Sequence, residues 1–198
     1  MKTAAMMTMA AMLGSMAWAG GKSDDQKVVA CIEVNKENAD VMAAARMTSA
    51  RLFEAAGVNL EWHTDRRFCE AQHDQVIKVS LSSNTPKDVS PGALAYALPY
   101  EGVHIEVFYD RMANAGNDLR PKLLAYVIVH EITHVLQAVD RHSESGIMMA
   151  HWGAPEYGRM RIGQLKFADG DIELIHKGLE MRAARRALGT LVASAELK

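Results

Sequence analysis

The sequence predicts an α+β, or mixed α/β, single domain. Short β-branched or alternating runs and one helical period fill the first half of the chain. A long segment that is apolar nearly all round follows them. An amphipathic segment closes the chain, and no domain-sized linker separates the two. At 198 residues the chain suits one domain with an export segment.

Each element has its own signal. Lys27 to Val34 (KVVACIEV) is short and β-branched and reads as a strand. Ala39 to Ala56 reads as a helix, with Val41, Ala45, Leu52 and Phe53 among its apolar positions and Gly57 as its stop. Val58 to His63 and Val76 to Leu81 alternate and read as strands. Asn84 to Gly92, with Pro86 and Pro91, is a turn-rich loop. Gly92 to Leu98 sets Leu94, Tyr96 and Leu98 on one face, and Val103 to Tyr109 completes five strands. Asn117 or Asp118 can cap the long helix, whose first turn tolerates Pro121. Val139 to Gly163 shows few regular signals and reads as a loop. Asp169 or Asp171 opens the last helix, with the stripe Ile172, Ile175 and Leu179, and Gly189 is expected to end it or let it fray.

The N-terminus carries targeting information. Met1-Lys2 is a short positive start, Thr3 to Met16 is uncharged and rich in Ala and Met, and Ala17-Trp18-Ala19 is a small-x-small cleavage site. Residues 1–19 therefore read as a secretory signal peptide and 20–198 as the mature domain. No later stretch reaches the ~18 apolar residues that span a bilayer. The expected location is outside the cytoplasm, in periplasm or medium. Two cysteines in an exported chain, Cys31 and Cys69, predict a disulfide from the first strand to the end of the second. A net charge of −2 calls for neither nucleic acid nor anionic lipid as a partner.

The chemistry concentrates in the long helix. His130-Glu131-Ile132-Thr133-His134 is H-E-x-x-H. Residues four apart share a helix face, so both imidazoles can reach one ion. Glu131 lies about 100° round, beside the ion rather than on it, where it can take a proton from a water activated by the metal. These polar residues interrupt an apolar helix, and burying them without partners is costly, which favours a metal site over a polar stripe. A catalytic zinc ion needs a third protein ligand and an open position.

Downstream the chain reads Asp140-Arg141-His142-Ser143 and then Gly146-Ile147-Met148-Met149. With the H-E-x-x-H this resembles the metzincins, zinc peptidases with the extended motif H-E-x-x-H-x-x-G-x-x-H/D and a methionine turn below the metal. Gly146-Ile147-Met148 is similar to that turn, with Met148 as its methionine and Met149 a poorer choice. Gln137 stands where the family has glycine, and Asp140 stands at the third-ligand spacing. The chain is also similar to bacterial secreted metzincin-like proteins that read H-E-I-G-H, then His-Ser, Gly-Ile-Met and Trp. His142-Ser143 and Trp152 match that variant, with Ala138 where it often has Gly. This resemblance implies His142 as third ligand. Asp140 stays open, as does a downstream Glu156 or Glu173 of the thermolysin-like, gluzincin kind. Without the glycines, Asp140 or Arg141 is expected to supply the left-handed turn after the helix.

The resemblance implies a zincin or metzincin-like fold: a five-stranded twisted sheet, the active-site helix, the methionine turn and a C-terminal helix. It implies one catalytic Zn2+ held by His130, His134 and His142, with Glu131 as general base in the hydrolysis of a peptide or protein substrate. Leu94, Tyr96 and Leu98 are expected along an edge strand that pairs with extended substrate. The rival reading is a non-enzymatic envelope protein with structural zinc. His63, His73, His104, His151 and His176 lack ligand spacing, though His151 is near enough in sequence to line the cleft. Tyr157 is a weak candidate for oxyanion stabilisation.

Overall fold

A computed structural model describes residues 26–34, 38–72, 75–97 and 103–196. The expected signal peptide at 1–19, His73 and Leu98 lie outside the described residues. Five strands, β1 (Lys27–Ile32), β2 (Asn59–His63), β3 (Ile77–Ser82), β4 (Ala95–Ala97) and β5 (His104–Phe108), form one sheet in the order β2-β1-β3-β5-β4. The first three pairings are parallel. Only β4, at the edge, runs antiparallel to its neighbour, with Ala95 opposite Val107 and Ala97 opposite Ile105.

Alternation along the strands sorts the two faces. Val28, Ala30 and Ile32 of β1, Ile77 and Val79 of β3, and Ile105 and Val107 of β5 enter the core. Against that face pack α1 (Ala39–Ala55) and the central α3 (Arg120–Gln137). Fifteen of the eighteen α3 residues are buried, as its all-round apolar sequence requires. The last helix, α5 (Asp169–Glu196), crosses α3 closely at Gly178, where a Cβ would stand 1.8 Å from the Leu136 carbonyl oxygen. Only glycine permits that approach, so Gly178 sets how deeply α5 seats against the end of α3.

Several expectations are corrected. Leu119, not Asn117 or Asp118, is the N-cap of α3. The Asp118 carboxylate instead accepts from Arg161 at 3.1 Å. Cys69 lies on a short helix, α2 (Arg66–Ala71), rather than at the end of β2, because Asp65 caps that turn by accepting from the Phe68 N–H at 2.8 Å. It is bonded to Cys31 across 38 residues, a constraint worth about 4 kcal/mol in the chain-entropy model. A 3-10 helix follows β5 (Tyr109–Ala115). A further helix, α4 (Ala154–Arg161), interrupts the expected loop; Glu156 accepts from the Gly153 N–H at 3.0 Å, closing its first turn. Finally, α5 continues through Gly189 instead of ending there. No helix among the described residues is long and apolar enough to cross a membrane.

Candidate metal centre and active site

His130, Glu131 and His134 sit on one stretch of α3 and are buried, with 6 to 9% of their surface exposed. Burial of the two Nδ1 atoms is tolerable because each has a carbonyl partner. His130 Nδ1 donates to the Ile147 carbonyl at 2.9 Å, and His134 Nδ1 donates to the Val139 carbonyl at 3.2 Å. Each carbonyl fixes the proton on Nδ1 and leaves the Nε2 lone pair free. These two Nε2 atoms face each other at 3.1 Å. Burial, the leading cause, pushes the His130 pKa down to about 4 and lowers that of His134 as well, so neither ring carries a proton between them at neutral pH. Two lone pairs aimed at each other are electrostatically unfavourable unless a cation lies between them.

His142 completes the set. One nitrogen from each of His130, His134 and His142 lies within 4.8 Å of the other two. The His142 ring is 5.2 Å from that of His130 and 4.9 Å from that of His134, centroid to centroid. Three neutral imidazole nitrogens are the donor set of a catalytic zinc site, where bonds of about 2.0–2.1 Å put neighbouring nitrogens about 3.3 Å apart. The residues present fit that ion. Asp140 is exposed and outside the group; Glu156 is occupied in closing α4 and in an ion pair with Arg159; Glu173 is exposed on α5.

The reversal that brings His142 back begins at Ala138, which adopts φ 52° and ψ 34°. The left-handed residue is therefore Ala138, and neither Asp140 nor Arg141 has positive φ. The next turn is held from α5's approach. Gly146 has φ 83°, and a Cβ there would meet the Lys166 carbonyl oxygen at 2.5 Å, while the Ile147 N–H donates to the same oxygen at 3.0 Å. This clamped turn presents the Ile147 carbonyl to His130. Met148 is fully buried in the core, whereas Met149 lines the cleft.

His130 and His142 open on a cleft of about 500 Å³. Ser90 to Ala95 form one wall, Met149 to Trp152 with Tyr157 the other, and Val127, His130, Glu131 and His142 the base. Trp152 stands edge-on to His130 at 5.5 Å. Burial pushes the Glu131 pKa up to about 8, the Asp140 charge adds to the rise, and a backbone hydrogen bond from Ala97 opposes it. A divalent cation alongside acts in the same sense as Ala97 and favours the carboxylate.

The substrate-strand residues separate. Leu94 lines the cleft, but Tyr96 is 43% exposed, donates its hydroxyl to Glu106 at 3.0 Å and packs on Phe108. Among the other histidines, His151 lines the cleft, His63 stacks on Phe68, and His176 donates to the Ala56 carbonyl. Sequence reading missed the Ile147 and Val139 carbonyls, which no side-chain pattern reveals. It also missed Arg111, which holds the cleft wall, and took Asp171 only for a helix opener.

No protein-family model matches the sequence, and no curated protein matches it. Among solved structures, the fold is similar to archaemetzincin from Methanopyrus kandleri, with a TM-score of 0.49 and 12% identity over 78% of this chain and 95% of that one. It is similar also to archaemetzincin from Archaeoglobus fulgidus, solved with malonate, with a TM-score of 0.46 and 15% identity over 75% of this chain and 99% of that one.

Proposed function

We propose that this protein is an exported zinc-dependent metalloendopeptidase. The observation that carries the reading is the pair of buried Nε2 atoms 3.1 Å apart, each deprived of a proton by its Nδ1–carbonyl bond, with a third imidazole beside them. His130, His134 and His142 hold the ion. Zinc, when bound, supplies a lowered water pKa and polarisation of the scissile carbonyl.

The chain's own residues do the rest. Glu131 accepts the proton from the attacking water and returns it to the leaving amine, a role matched by its place at the cleft base. Its pKa near 8 without a cation marks it as a carboxylate poised to hold a proton around neutrality. The antiparallel edge strand β4 offers backbone groups beside the cleft to an extended peptide. Met148 serves as the methionine of the turn behind His130. Residues 1–19 act as the signal peptide, and the Cys31–Cys69 bond suits an oxidising compartment.

A structural zinc site is the second reading. It leaves unexplained a buried carboxylate at the base of an open cleft, since burial of such a group is costly without a task. Metal analysis of the exported protein, with a peptide-library digest of wild type and Glu131→Gln, separates the two. The expected result is about one zinc in both and chelator-sensitive cleavage in wild type alone. Zinc in both with no cleavage by either favours the structural reading.

A further inference from the structure

We propose that Asp171 is the positioning residue for His142, gripping the chain on both sides of that ring. This rests on the metal reading above. The first two ligands are fixed by a helix and by Nδ1–carbonyl bonds. His142 has neither. It lies in an irregular, exposed segment, and among the described residues its ring makes no hydrogen bond. Apart from its ring contacts with His130 and His134, its place is set through its chain neighbours.

Both neighbours are held by one carboxylate. Ser143 Oγ donates to Asp171 Oδ1 at 2.6 Å, and Arg141 Nη1 donates to the same oxygen at 3.2 Å. Arg141 Nη2 closes the triangle on Ser143 Oγ at 3.2 Å. The Ser143 N–H then donates to the Met148 carbonyl at 2.7 Å, tying the segment to the turn that presents Ile147 to His130. Asp171 is itself immobile: it is fully buried in the first turn of α5, and its own carbonyl accepts from Gln137 Nε2 at 3.2 Å at the end of α3. One residue thus touches the helix of the first two ligands and the loop of the third.

Stability alone accounts poorly for this carboxylate. Its second oxygen, Oδ2, is buried with no partner among the described residues, and leaving a buried acceptor unpaired is destabilising. Groups that orient metal ligands characteristically change metal affinity about 10- to 100-fold when removed.

The test is a double-mutant cycle read by zinc alone, titrated into metal-free protein against a chromophoric chelator. Asp171→Asn and Ser143→Ala should each weaken zinc binding about tenfold or more. In a His142→Ala background neither change should weaken it further by more than about twofold, because the ligand they position is gone. Should Asp171→Asn fail to fold, Ser143→Ala carries the cycle, since it leaves the Arg141–Asp171 pair intact. Equal losses in both backgrounds overturn the proposal, as does wild-type affinity in the single variants. Wild-type protein that binds no zinc overturns the metal reading itself, a distinguishable result.

Discussion

Arg111 Nη1 lies 2.6 Å from the Ala93 carbonyl oxygen to which it donates. The same guanidinium donates to the Ser90 carbonyl at 2.7 Å and to that of Val89 at 3.3 Å, and it stands over the Phe108 ring. Its neighbour Asp110 accepts from the Thr85 hydroxyl at 2.8 Å and from the Thr85 N–H at 3.2 Å. Two adjacent residues of the 3-10 helix therefore hold the loop before β4 near both its ends, and that loop is one wall of the cleft.

Freeing that wall should weaken substrate binding without touching the ion. Arg111→Ala is expected to raise KM for a peptide substrate about tenfold, with kcat within about threefold and zinc content unchanged, since charge-assisted hydrogen bonds of this kind contribute about 1.5–3 kcal/mol. Arg111→Lys should not restore KM, because a point-charge ammonium cannot serve three carbonyls as a planar fork does. Steady-state kinetics with metal analysis decides. An unchanged KM, or lost zinc, counts against the wall as a binding element.

The metal-free protein should have an unusual pH profile. Folded Glu131 keeps its proton to about pH 8, against an ordinary 4.5, so the folded state binds the extra proton in that window and stability falls as pH rises through it. His130 acts in the opposite sense. Its folded pKa is about 4 against 6.5, so stability falls as pH drops from 6.5 towards 4, and His134 adds to that loss. Chelator-treated protein is thus expected to be most stable near pH ~6 and to lose about 2 kcal/mol between pH ~6.5 and ~8. Glu131→Gln should abolish the alkaline loss and keep the acid one. Thermal melts of both proteins across this range test it; an identical alkaline fall in the variant rules out Glu131 as its source.

Much of the fold was legible because its signals are local. Alternating Val28, Ala30 and Ile32 mark a half-buried strand, and α1 stops just before Gly57. The helix of the candidate site was legible because His130, Glu131 and His134, with Thr133 and Gln137, break an otherwise apolar surface. What stayed hidden depends on contacts distant in sequence. Asp118 has the chemistry of a cap but is drawn to Arg161, 43 residues away. The short helices α2 and α4 close on a capping carboxylate and lack the long apolar stripe that announces a helix. Nor does any spacing reveal that Asp171, 28 residues beyond Ser143, returns to hold it.

Ala138 hid the helix exit for a related reason. The left-handed conformation of the α3 cap usually announces itself by glycine, which has no Cβ to crowd the following carbonyl. Ala138→Gly should relieve that crowding, at a partial cost in unfolded-chain entropy, for a net gain of about 0.5–1 kcal/mol. The melting temperature should rise by a few degrees with zinc affinity unchanged. A lower melting temperature means that packing of the Ala138 methyl outweighs its backbone strain.

The identity of the third ligand is the sharpest remaining comparison, because two residues two positions apart compete for it. Asp140 stands at the spacing of the extended metzincin motif, but it is exposed and outside the three-nitrogen group. His142 belongs to that group, since the reversal at Ala138 takes two residues more to bring the chain back beside His130 and His134. His130→Ala, His134→Ala and His142→Ala should each weaken zinc binding by at least about 10- to 100-fold and abolish hydrolysis. Asp140→Ala should retain zinc. Its charge raises the Glu131 pKa, so removing it should instead shift the alkaline stability loss of the metal-free protein to lower pH. Zinc content across the four variants, followed by melts of Asp140→Ala, reads both effects. Loss of zinc from Asp140→Ala with retention by His142→Ala transfers the third-ligand role to Asp140 and removes the basis for assigning Asp171 its task.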